Sequence, residues 1–255
     1  MTVWVAMAAY NEGPRLPPLL ARWEAVSVGA GRSCRYVVVD DGSTDETADV
    51  LQAFAADQPL DVITHSPNQG LGSSLRDLLR FVADHGGGDD VVVTMDADNT
   101  QPPELLPAML ERMATTGCDV VIASRYRAGA QVVGLGLLRR AMSFGARVAF
   151  QLAFPIAGVR DYTCGFRLCR VAVIKRAFEV YGTQFCDRPG FECTADILLR
   201  LAKLGATFSE VPMVLDYAAK RSSSNMRVGR TVRQTLGLML KRRFEGGRLG
   251  SSNRR

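Results

Sequence analysis

The sequence predicts an α/β protein with a mostly parallel central sheet flanked by helices. Two observations support this fold class: 47% of the 255 residues are hydrophobic, and β-rich apolar runs alternate with helical patterns over residues 1–124. A chain of this length can bury a sizeable core in one large domain or two small ones. Its ordinary glycine and proline contents exclude fibrous and disordered classes.

The predicted elements follow in order along the chain. In residues 1–124, strands at Val3–Ala9, Tyr36–Val39, Asp61–Thr64, Val91–Met95 and Val120–Ala123 alternate with helices at about 14–28, 44–56, 70–84 and 103–116. Ser43 and Glu46 have the spacing of a capping box, and Pro102-Pro103 suits a first helical turn. Later come a loop at 125–133, a helix at about 135–153, a strand at Thr163–Cys169, helices at about 171–180 and 191–204, strands at Thr207–Val211 and Met213–Asp216, and a basic helix at about 227–244.

The net charge of +5 is distributed very unevenly. Residues 1–124 hold seven basic and 18 acidic side chains, for a charge of −11. Residues 125–176 carry +9 with Asp161 as their one acid, and residues 227–255 carry +8. This asymmetry indicates two surfaces with different tasks. Nucleic-acid binding is not predicted, because no interleaved aromatic residues or binding motif accompany the basic charge.

Cysteine usage and hydropathy bear on the compartment. The six cysteines form no CxxC pair and the sequence has two histidines, so a zinc site is not expected and reduced thiols are. The most apolar charge-free run, Val148–Val159, has 12 residues, fewer than the ~20 that a bilayer span requires. The first residues lack a signal-peptide pattern. We therefore expect a cytoplasmic protein.

Acidic residues follow three of the predicted strands. Tyr10-Asn11-Glu12 follows the first strand, Asp40-Asp41-Gly42-Ser43 the second and Asp96-Ala97-Asp98 the fourth. Ligands of open α/β sheets bind beyond the carboxyl ends of strands, so these segments should face one crevice. Carboxylates spaced i, i+2 can share Mg²⁺ or Mn²⁺ with a diphosphate. Gly70-Leu71-Gly72 lacks both a third glycine and a Walker lysine, so neither NAD nor a P-loop nucleotide is indicated.

These segments resemble motifs of the family 2 glycosyltransferases, which have the Rossmann-like GT-A fold. The resemblance rests on Ala8–Glu12, Val38–Asp45 and Met95–Asp98, and it continues through Ala123–Tyr126, Arg160–Arg167 and Gly190–Glu192. The later motifs are similar to the branch typified by dolichol-phosphate mannose synthase. The resemblance covers roughly residues 2–230, and six motifs in the same order make it specific.

The resemblance implies an inverting, metal-dependent transfer of a sugar from a nucleotide donor to a polyprenyl phosphate, with GDP-mannose favoured as donor. Residues 1–124 would form the nucleotide-sugar half, 125–226 the acceptor half, and 227–255 a basic C-terminal helix and tail. Residues matched to the donor, its diphosphate or the metal are Ala9, Tyr10, Glu12, Asp41, Asp96, Ala97, Asp98, Lys220 and Arg221. Asp96 and Asp98 would hold Mg²⁺ or Mn²⁺. The branch has a metal-binding glutamine where this chain has Thr100, and Gln101 follows, so either could complete the site.

The basic middle block gives candidates for the acceptor. Arg139 and Ser143 are spaced i, i+4 on a predicted helix and so share a face, with Arg147 one turn further on. By resemblance, Arg125, Arg139 and Ser143 match the positions that bind the acceptor phosphate, a role that suits arginine. The alternative is an exposed basic helix face. A phosphate nucleophile needs no strong base, and both His65 and His85 are expected to be ordinary loop residues.

The last helix has two open interpretations. Val228, Val232, Leu236, Leu240 and Phe244 form an apolar stripe that could lie in a membrane interface or pack on the core of the protein. The membrane-interface interpretation predicts that the protein makes peripheral contact with the cytoplasmic face of the membrane.

Two alternative functions remain open at this point. One is a soluble glycosyltransferase acting on a hydroxyl of a small molecule, for which Asp161, Asp187 or Glu192 could supply the base. The other is a catalytically silent nucleotide-binding module.

Overall fold

The structure, a computed structural model, describes residues 1–29, 31, 33–134, 136–216 and 228–246. Within these ranges the strands are β1 (Val3–Ala9), β2 (Cys34–Asp40), β3 (Leu60–Thr64), β4 (Val91–Asp96), β5 (Val120–Ser124), β6 (Gln131–Val133), β7 (Arg167–Arg170), β8 (Phe208–Pro212) and β9 (Val214–Asp216). The helices are α1 (Leu16–Gly29), α2 (Thr47–Asp57), α3 (Leu71–His85), α4 (Leu106–Thr116), α5 (Leu137–Ala153), α6 (Val171–Tyr181), α7 (Cys193–Lys203) and α8 (Val228–Gly246). Short 3₁₀ turns at Pro103–Leu105 and Gly182–Gln184 precede α4 and follow α6.

The central sheet has the order β3-β2-β1-β4-β7-β5-β8. All neighbours pair in parallel except β7, which lies antiparallel between β4 and β5. Helices cover both faces, and for this reason the central strands are apolar along nearly their whole length. The predicted α/β class with a mostly parallel sheet is confirmed.

Strand register brings the first two acidic segments and the Asp96 segment to one edge. Ala9 of β1 is paired with Asp40 of β2, and Ala8 pairs with Asp96 of β4. Because β1 lies between the other two strands, their carboxyl ends are adjacent. This edge is the floor of the predicted crevice.

Two predicted boundaries were wrong in the second half of the chain. The strand expected at Thr163–Cys169 begins only at Arg167, because the preceding backbone is held in a loop: Asp161 accepts a hydrogen bond from the Cys164 N–H, and the Thr94 hydroxyl donates to the Gly165 carbonyl. The segment 131–133, expected to be a loop, forms β6 and pairs in parallel with β9.

The predicted capping box of the second helix was also wrong. Helix α2 begins at Thr47, and Glu46 at its N-cap makes no side-chain cap hydrogen bond. Ser43 instead accepts a hydrogen bond from the Asn11 N–H, while Asp45 accepts one from the Thr47 N–H at 3.0 Å. Ser43 therefore makes a tertiary contact with the first strand exit, and Asp45 supplies the local contact at the start of α2.

Helix α8 packs on the protein through one face and exposes the other. Leu238 and Arg242 are buried, and the Arg242 guanidinium makes two hydrogen bonds, of 2.6 and 2.7 Å, to the buried carboxylate of Asp196 on α7. On the opposite face Leu236 and Leu240 are 54% and 62% exposed. Docking on the core thus leaves Leu236 and Leu240 of the apolar stripe exposed.

Two further observations bear on the expected compartment. None of the described helices combines the length and the apolar character needed to span a bilayer. All six cysteines are buried free thiols.

Candidate active site

The first two strand exits are joined by backbone and side-chain hydrogen bonds. The Asp41 N–H donates to the Ala9 carbonyl at 2.9 Å. Asn11, in the left-handed region at φ 55°, accepts a hydrogen bond from the Thr44 N–H, while the Asn11 N–H donates to Ser43 Oγ. The exits of β1 and β2 therefore form one continuous rim.

Two predicted donor residues lie on this rim with different exposure. Tyr10 is 39% exposed, and the preceding Ala9 is buried. Glu12 is half-buried and forms an ion pair with Arg15. The nucleotide-binding roles of these residues stay predictions.

The Asp96–Asp98 pair is held by the two residues that follow it. The Gln101 side-chain amide donates to Asp96 Oδ2 at 2.8 Å, and its oxygen accepts from the Asp96 N–H. The Thr100 hydroxyl donates to Asp98 Oδ1 at 2.6 Å. Thr100 and Gln101 thus each contact one carboxylate, and the buried Ala97 separates the two.

A contact with α1 fixes the same loop from outside. Asn99 has a φ of 57° and accepts a hydrogen bond of 2.8 Å from Arg22. Arg22 also makes a two-pronged ion pair with Glu104, whose pKa is lowered by these hydrogen bonds. Arg22 of α1 therefore links Asn99, which directly follows Asp98, to Glu104.

The donor set at this loop fits a hard divalent cation. Carboxylate oxygens are the ligands that Mg²⁺ and Mn²⁺ prefer. Across the described ranges no cluster of three or more His, Cys, Asp or Glu residues is present. Asp96 and Asp98 would hold a cation together with diphosphate oxygens and water, which is the usual arrangement for nucleotide-bound Mg²⁺.

Arg125 follows β5 and is engaged in a buried ion pair. Its Nε and Nη2 donate to the two oxygens of Asp161 at 2.8 and 2.6 Å, and Nη2 also donates to Thr163 Oγ1. Asp161 is fully buried. Burial disfavours both charges, but the pairing outweighs it: the pKa of Asp161 is lowered and that of Arg125 is raised.

The loop Thr163–Gly165 connects this ion pair with the Asp96–Asp98 loop. The Thr94 hydroxyl donates to the Gly165 carbonyl at 2.7 Å. A Cβ at Gly165 would lie 3.8 Å from Asp96 Oδ1. The loop Thr163–Gly165 therefore lies between Arg125 and Asp96.

A cleft of about 500 Å³ lies beside Arg125, between β6 and α5. Ser143 and Tyr126 line it, and their hydroxyls are hydrogen-bonded to each other. The guanidinium of Arg147 stacks 4.8 Å from the centre of the Tyr126 ring. Arg140 lines this cleft, whereas Arg139 is exposed outside its lining. Arg139 and Arg140 precede Ser143 by four and three residues, and both spacings can place an arginine near Ser143 on a helix. The structure places Arg140, and not Arg139, in the lining of the cleft.

The other sequence candidates are placed as follows. Asp187 lies 3.6 Å from the guanidinium groups of Arg200 and Arg242, in the ion-pair cluster that docks α8. Glu192, at the N-cap of α7, is 5% exposed, and its Oε2 has no hydrogen-bond partner among the described residues. Lys220 and Arg221 lie outside the described residues.

His65, which the sequence predicted to be an ordinary loop residue, is buried between two carboxylates beside the exit of β2. Its Nδ1 and Nε2 lie 2.7 and 3.0 Å from Asp41 Oδ1 and Asp77 Oδ2. The sequence held a signal for it, because His65 directly follows the third predicted strand and so ends beside the exit of the second.

Comparisons with known proteins identify the family. The family model for glycosyl transferase family 2 matches residues 4–178, which is more than half of the chain. The chain belongs to this family. The predicted resemblance is confirmed.

Curated relatives of this family 2 protein include enzymes named for polyprenyl phosphates. The dolichol-phosphate mannosyltransferase of Pyrococcus furiosus is 34% identical over 176 residues, covering 69% of this chain and 48% of that protein. The undecaprenyl-phosphate mannosyltransferase of Micrococcus luteus is 31% identical over 214 residues, covering 84% and 83%. The chain thus matches about half the length of several curated relatives and most of the length of another.

Solved structures of low sequence identity share the GT-A fold of this family 2 chain. Mannosyl-3-phosphoglycerate synthase from Rubrobacter xylanophilus matches with a TM-score of 0.70 at 20% identity, covering 98% of this chain and 77% of that one. Glucosyl-3-phosphoglycerate synthase from Mycobacterium tuberculosis, with bound UDP, matches at 0.65 and 19% identity, covering 95% and 80%.

Proposed function

We propose that this family 2 protein transfers a sugar, with inversion, from a nucleotide-sugar donor to a polyprenyl phosphate. The observation that supports this most directly is the character of α5. Arg140 and Ser143 line the cleft beside Arg125, and Phe144, which also lines it, begins an exposed apolar row with Val148 and Leu152. The cleft would take the anionic head of a ligand, and the exposed apolar row beside it would take a hydrocarbon tail. The names of the curated relatives point to the same acceptor class.

The donor half would consist of residues 1–124, with GDP-mannose as the favoured donor. Two of the curated relatives are named as mannosyltransferases. We assign a divalent cation to Asp96 and Asp98, and complexes of the Mycobacterium tuberculosis enzyme that contain Mn²⁺ and UDP-glucose support this. When bound, the cation would offset the charge growing on the departing nucleoside diphosphate, an effect of several kcal/mol.

The acceptor half, residues 125–226, suits a nucleophile that is already ionised. The second pKa of a phosphate monoester is about 6, so it is largely a dianion at pH 7 and needs no general base. A hydroxyl acceptor would need one, and the carboxylate of Asp161 is engaged by Arg125. Asp161 is therefore not available as that base, whereas Glu192, whose Oε2 has no hydrogen-bond partner among the described residues, is the carboxylate that a hydroxyl acceptor would require.

We further propose peripheral contact with a membrane through the exposed apolar rows of α5 and α8. Arg243 of α8 donates to the Ala153 carbonyl at the end of α5, so the two helices are neighbours. The α8 row, Val232, Leu236 and Leu240, is 43–62% exposed. Exposed basic side chains accompany it on the same helix: Arg233, Lys241 and Arg243. Exposed apolar area with basic flanks suits an anionic membrane interface.

The proposal is tested by assaying a panel of nucleotide sugars with Mg²⁺ or Mn²⁺, with and without a polyprenyl phosphate. We expect nucleoside diphosphate release that depends on both the cation and the lipid phosphate. Release that does not require the lipid phosphate would show hydrolysis alone. No release from any donor would favour a silent nucleotide-binding module.

Arg140→Ala is expected to weaken use of the acceptor while leaving donor binding unchanged, because Arg140 lines the cleft with Arg125 and Ser143. Losing a charge-assisted contact costs roughly 1.5–3 kcal/mol, or about 10- to 150-fold in apparent acceptor affinity. Arg139→Ala is the matched comparison, because Arg139 is the neighbouring arginine and is exposed outside the cleft lining. A larger effect of Arg139→Ala would assign the phosphate contact to that residue, as its resemblance to the family motif implies. Unchanged acceptor KM in both variants would contradict the polyprenyl-phosphate assignment.

The protein is expected to sediment with anionic vesicles at low salt and to be released near 1 M salt, where the Debye length is about 3 Å. Val232→Asp should reduce the bound fraction by placing a charge in the apolar row. Val28→Asp is the matched control, since Val28 is exposed on α1. Equal binding of both variants, or no binding of the wild type at low salt, would contradict the membrane contact.

A further inference from the structure

His65 lies buried between two carboxylates at the floor of the crevice. Its ring nitrogens pair with Asp41 Oδ1 at 2.7 Å and Asp77 Oδ2 at 3.0 Å, and its side chain is 5% exposed. Each ring nitrogen therefore has one carboxylate oxygen within hydrogen-bond distance. His65 thus connects helix α3, which carries Asp77, to the exit of β2.

Asp41 also contacts the loop Asn68–Gly70. Its Oδ1 also accepts from the Gln69 N–H, and its Oδ2 accepts from the Gly70 N–H, both at 2.8 Å. The Asn68 side chain donates to the Asp41 carbonyl at 2.9 Å. Both carboxylate oxygens are therefore engaged by the protein itself, which makes Asp41 an organiser of the loop Asn68–Gly70.

The far side of that loop is packed closely against the segment before α7. Gly70 has a φ of 88°, and the Gly72 N–H donates to the Pro189 carbonyl at 3.3 Å. A Cβ at Gly72 would fall 1.6 Å from the Arg188 carbonyl oxygen, so only glycine allows this approach. The loop is therefore held by Asp41 on one side and by the backbone of Arg188 and Pro189 on the other.

We infer that His65 is a positioning residue for the nucleoside diphosphate part of the donor. It fixes Asp41 and the loop Asn68–Gly70 at the rim formed by the first two strand exits, with Asp77 as its anchor. The inference rests on the proposed function, which places the donor at this rim. The paired carboxylates Asp96 and Asp98 lie beyond the intervening strand β1, on the far side of the rim.

Substitution of His65 should therefore separate donor affinity from turnover. We expect His65→Leu to raise the donor KM and the Kd of GDP measured with Mn²⁺ by roughly 10-fold or more, which corresponds to a lost hydrogen bond to a charged group. His65→Gln keeps one donor group and should recover part of the affinity. The turnover number at saturating donor should change by less than about threefold.

The other histidine of the sequence is the matched control. His85 is exposed in the last turn of α3 and contacts the Phe81 carbonyl. His85→Gln should leave both donor constants unchanged. A merely structural role of His65 would instead lower kcat and stability with no selective change in donor KM, and that result would overturn the inference.

A double-mutant cycle of Asp77→Asn with His65→Gln tests the anchor, and the single variant Asp77→Asn leaves the buried ring of His65 in place. Asp77 is 31% exposed, so this variant should fold even if His65→Leu does not. The effects of Asp77→Asn and His65→Gln on GDP affinity should be clearly less than additive, and strict additivity would contradict the anchor. If the wild type binds neither GDP nor UDP with Mn²⁺, the proposed function fails. If it binds one and both variants bind it equally well, only this inference fails.

Discussion

Asp98→Ala is expected to reduce sugar transfer by about a thousandfold or more. The residue belongs to the carboxylate pair assigned to the cation, and losing about 4 kcal/mol of charge stabilisation in the transition state corresponds to roughly a 10³-fold lower rate. Nucleoside diphosphate affinity, measured by calorimetry, should no longer differ between Mn²⁺ and EDTA. Thermal stability should change little, because Asp98 is only half-buried at the end of a loop.

Asp89→Ala provides the matched control for that substitution. Asp89 is an exposed aspartate two residues before β4 begins, at the opposite end of the same strand. It should retain wild-type transfer and wild-type metal dependence. If Asp98→Ala keeps metal-dependent binding, or if wild-type binding is the same in EDTA, the metal assignment is wrong.

Asp161→Asn is expected to produce the largest loss of stability. The substitution leaves the guanidinium of Arg125 without its buried counter-charge, and breaking one half of a buried pair costs about 3–5 kcal/mol. Urea denaturation should report this loss in the free energy of unfolding. Asp61→Asn, which removes the partner of Arg35 in an exposed pair, should cost at most about 1 kcal/mol.

The pH dependence of that difference follows from the direction of the shift. The pKa of Asp161 is lower in the folded protein than its unfolded value of about 3.9, so its stabilisation is complete above that value and declines as the pH falls below it. The gap in unfolding free energy between wild type and Asp161→Asn should be constant from about pH 5 to 8 and shrink below about pH 4. A gap that grew in acid, or equal losses for Asp161→Asn and Asp61→Asn, would contradict the assigned ion pair.

The crevice could be predicted from the sequence because it depends on strand ends. Apolar runs followed by acidic residues locate the exits of β1, β2 and β4, and parallel pairing then places Asp41 and Asp96 at one edge. The same rule would have drawn attention to His65, which directly follows β3, the strand next to β2. Features that depend on local sequence patterns and on parallel strand pairing could therefore be predicted from the sequence.

Features that depend on tertiary contacts were not accessible. The antiparallel insertion of β7 places Arg167, a buried cation, inside the sheet, where its guanidinium donates to the backbone of Tyr162 and Thr194. No local periodicity predicts such a residue in a core strand. Likewise, helical spacing places both Arg139 and Arg140 near Ser143, and only packing of α5 decides which lines the cleft.

The central claim is that the acceptor is a lipid phosphate, and acceptor-dependent incorporation of label tests it most directly. The protein would be incubated with Mn²⁺ and GDP-mannose labelled in the sugar, together with either a polyprenyl phosphate or the polyprenol of the same length. Should GDP-mannose be inactive, the donor found active in the panel replaces it. We predict that label enters the lipid extract only with the phosphate, and that the sugar is attached through it with inverted configuration. Incorporation into the polyprenol at an equal or higher rate, or retained configuration, would contradict the account.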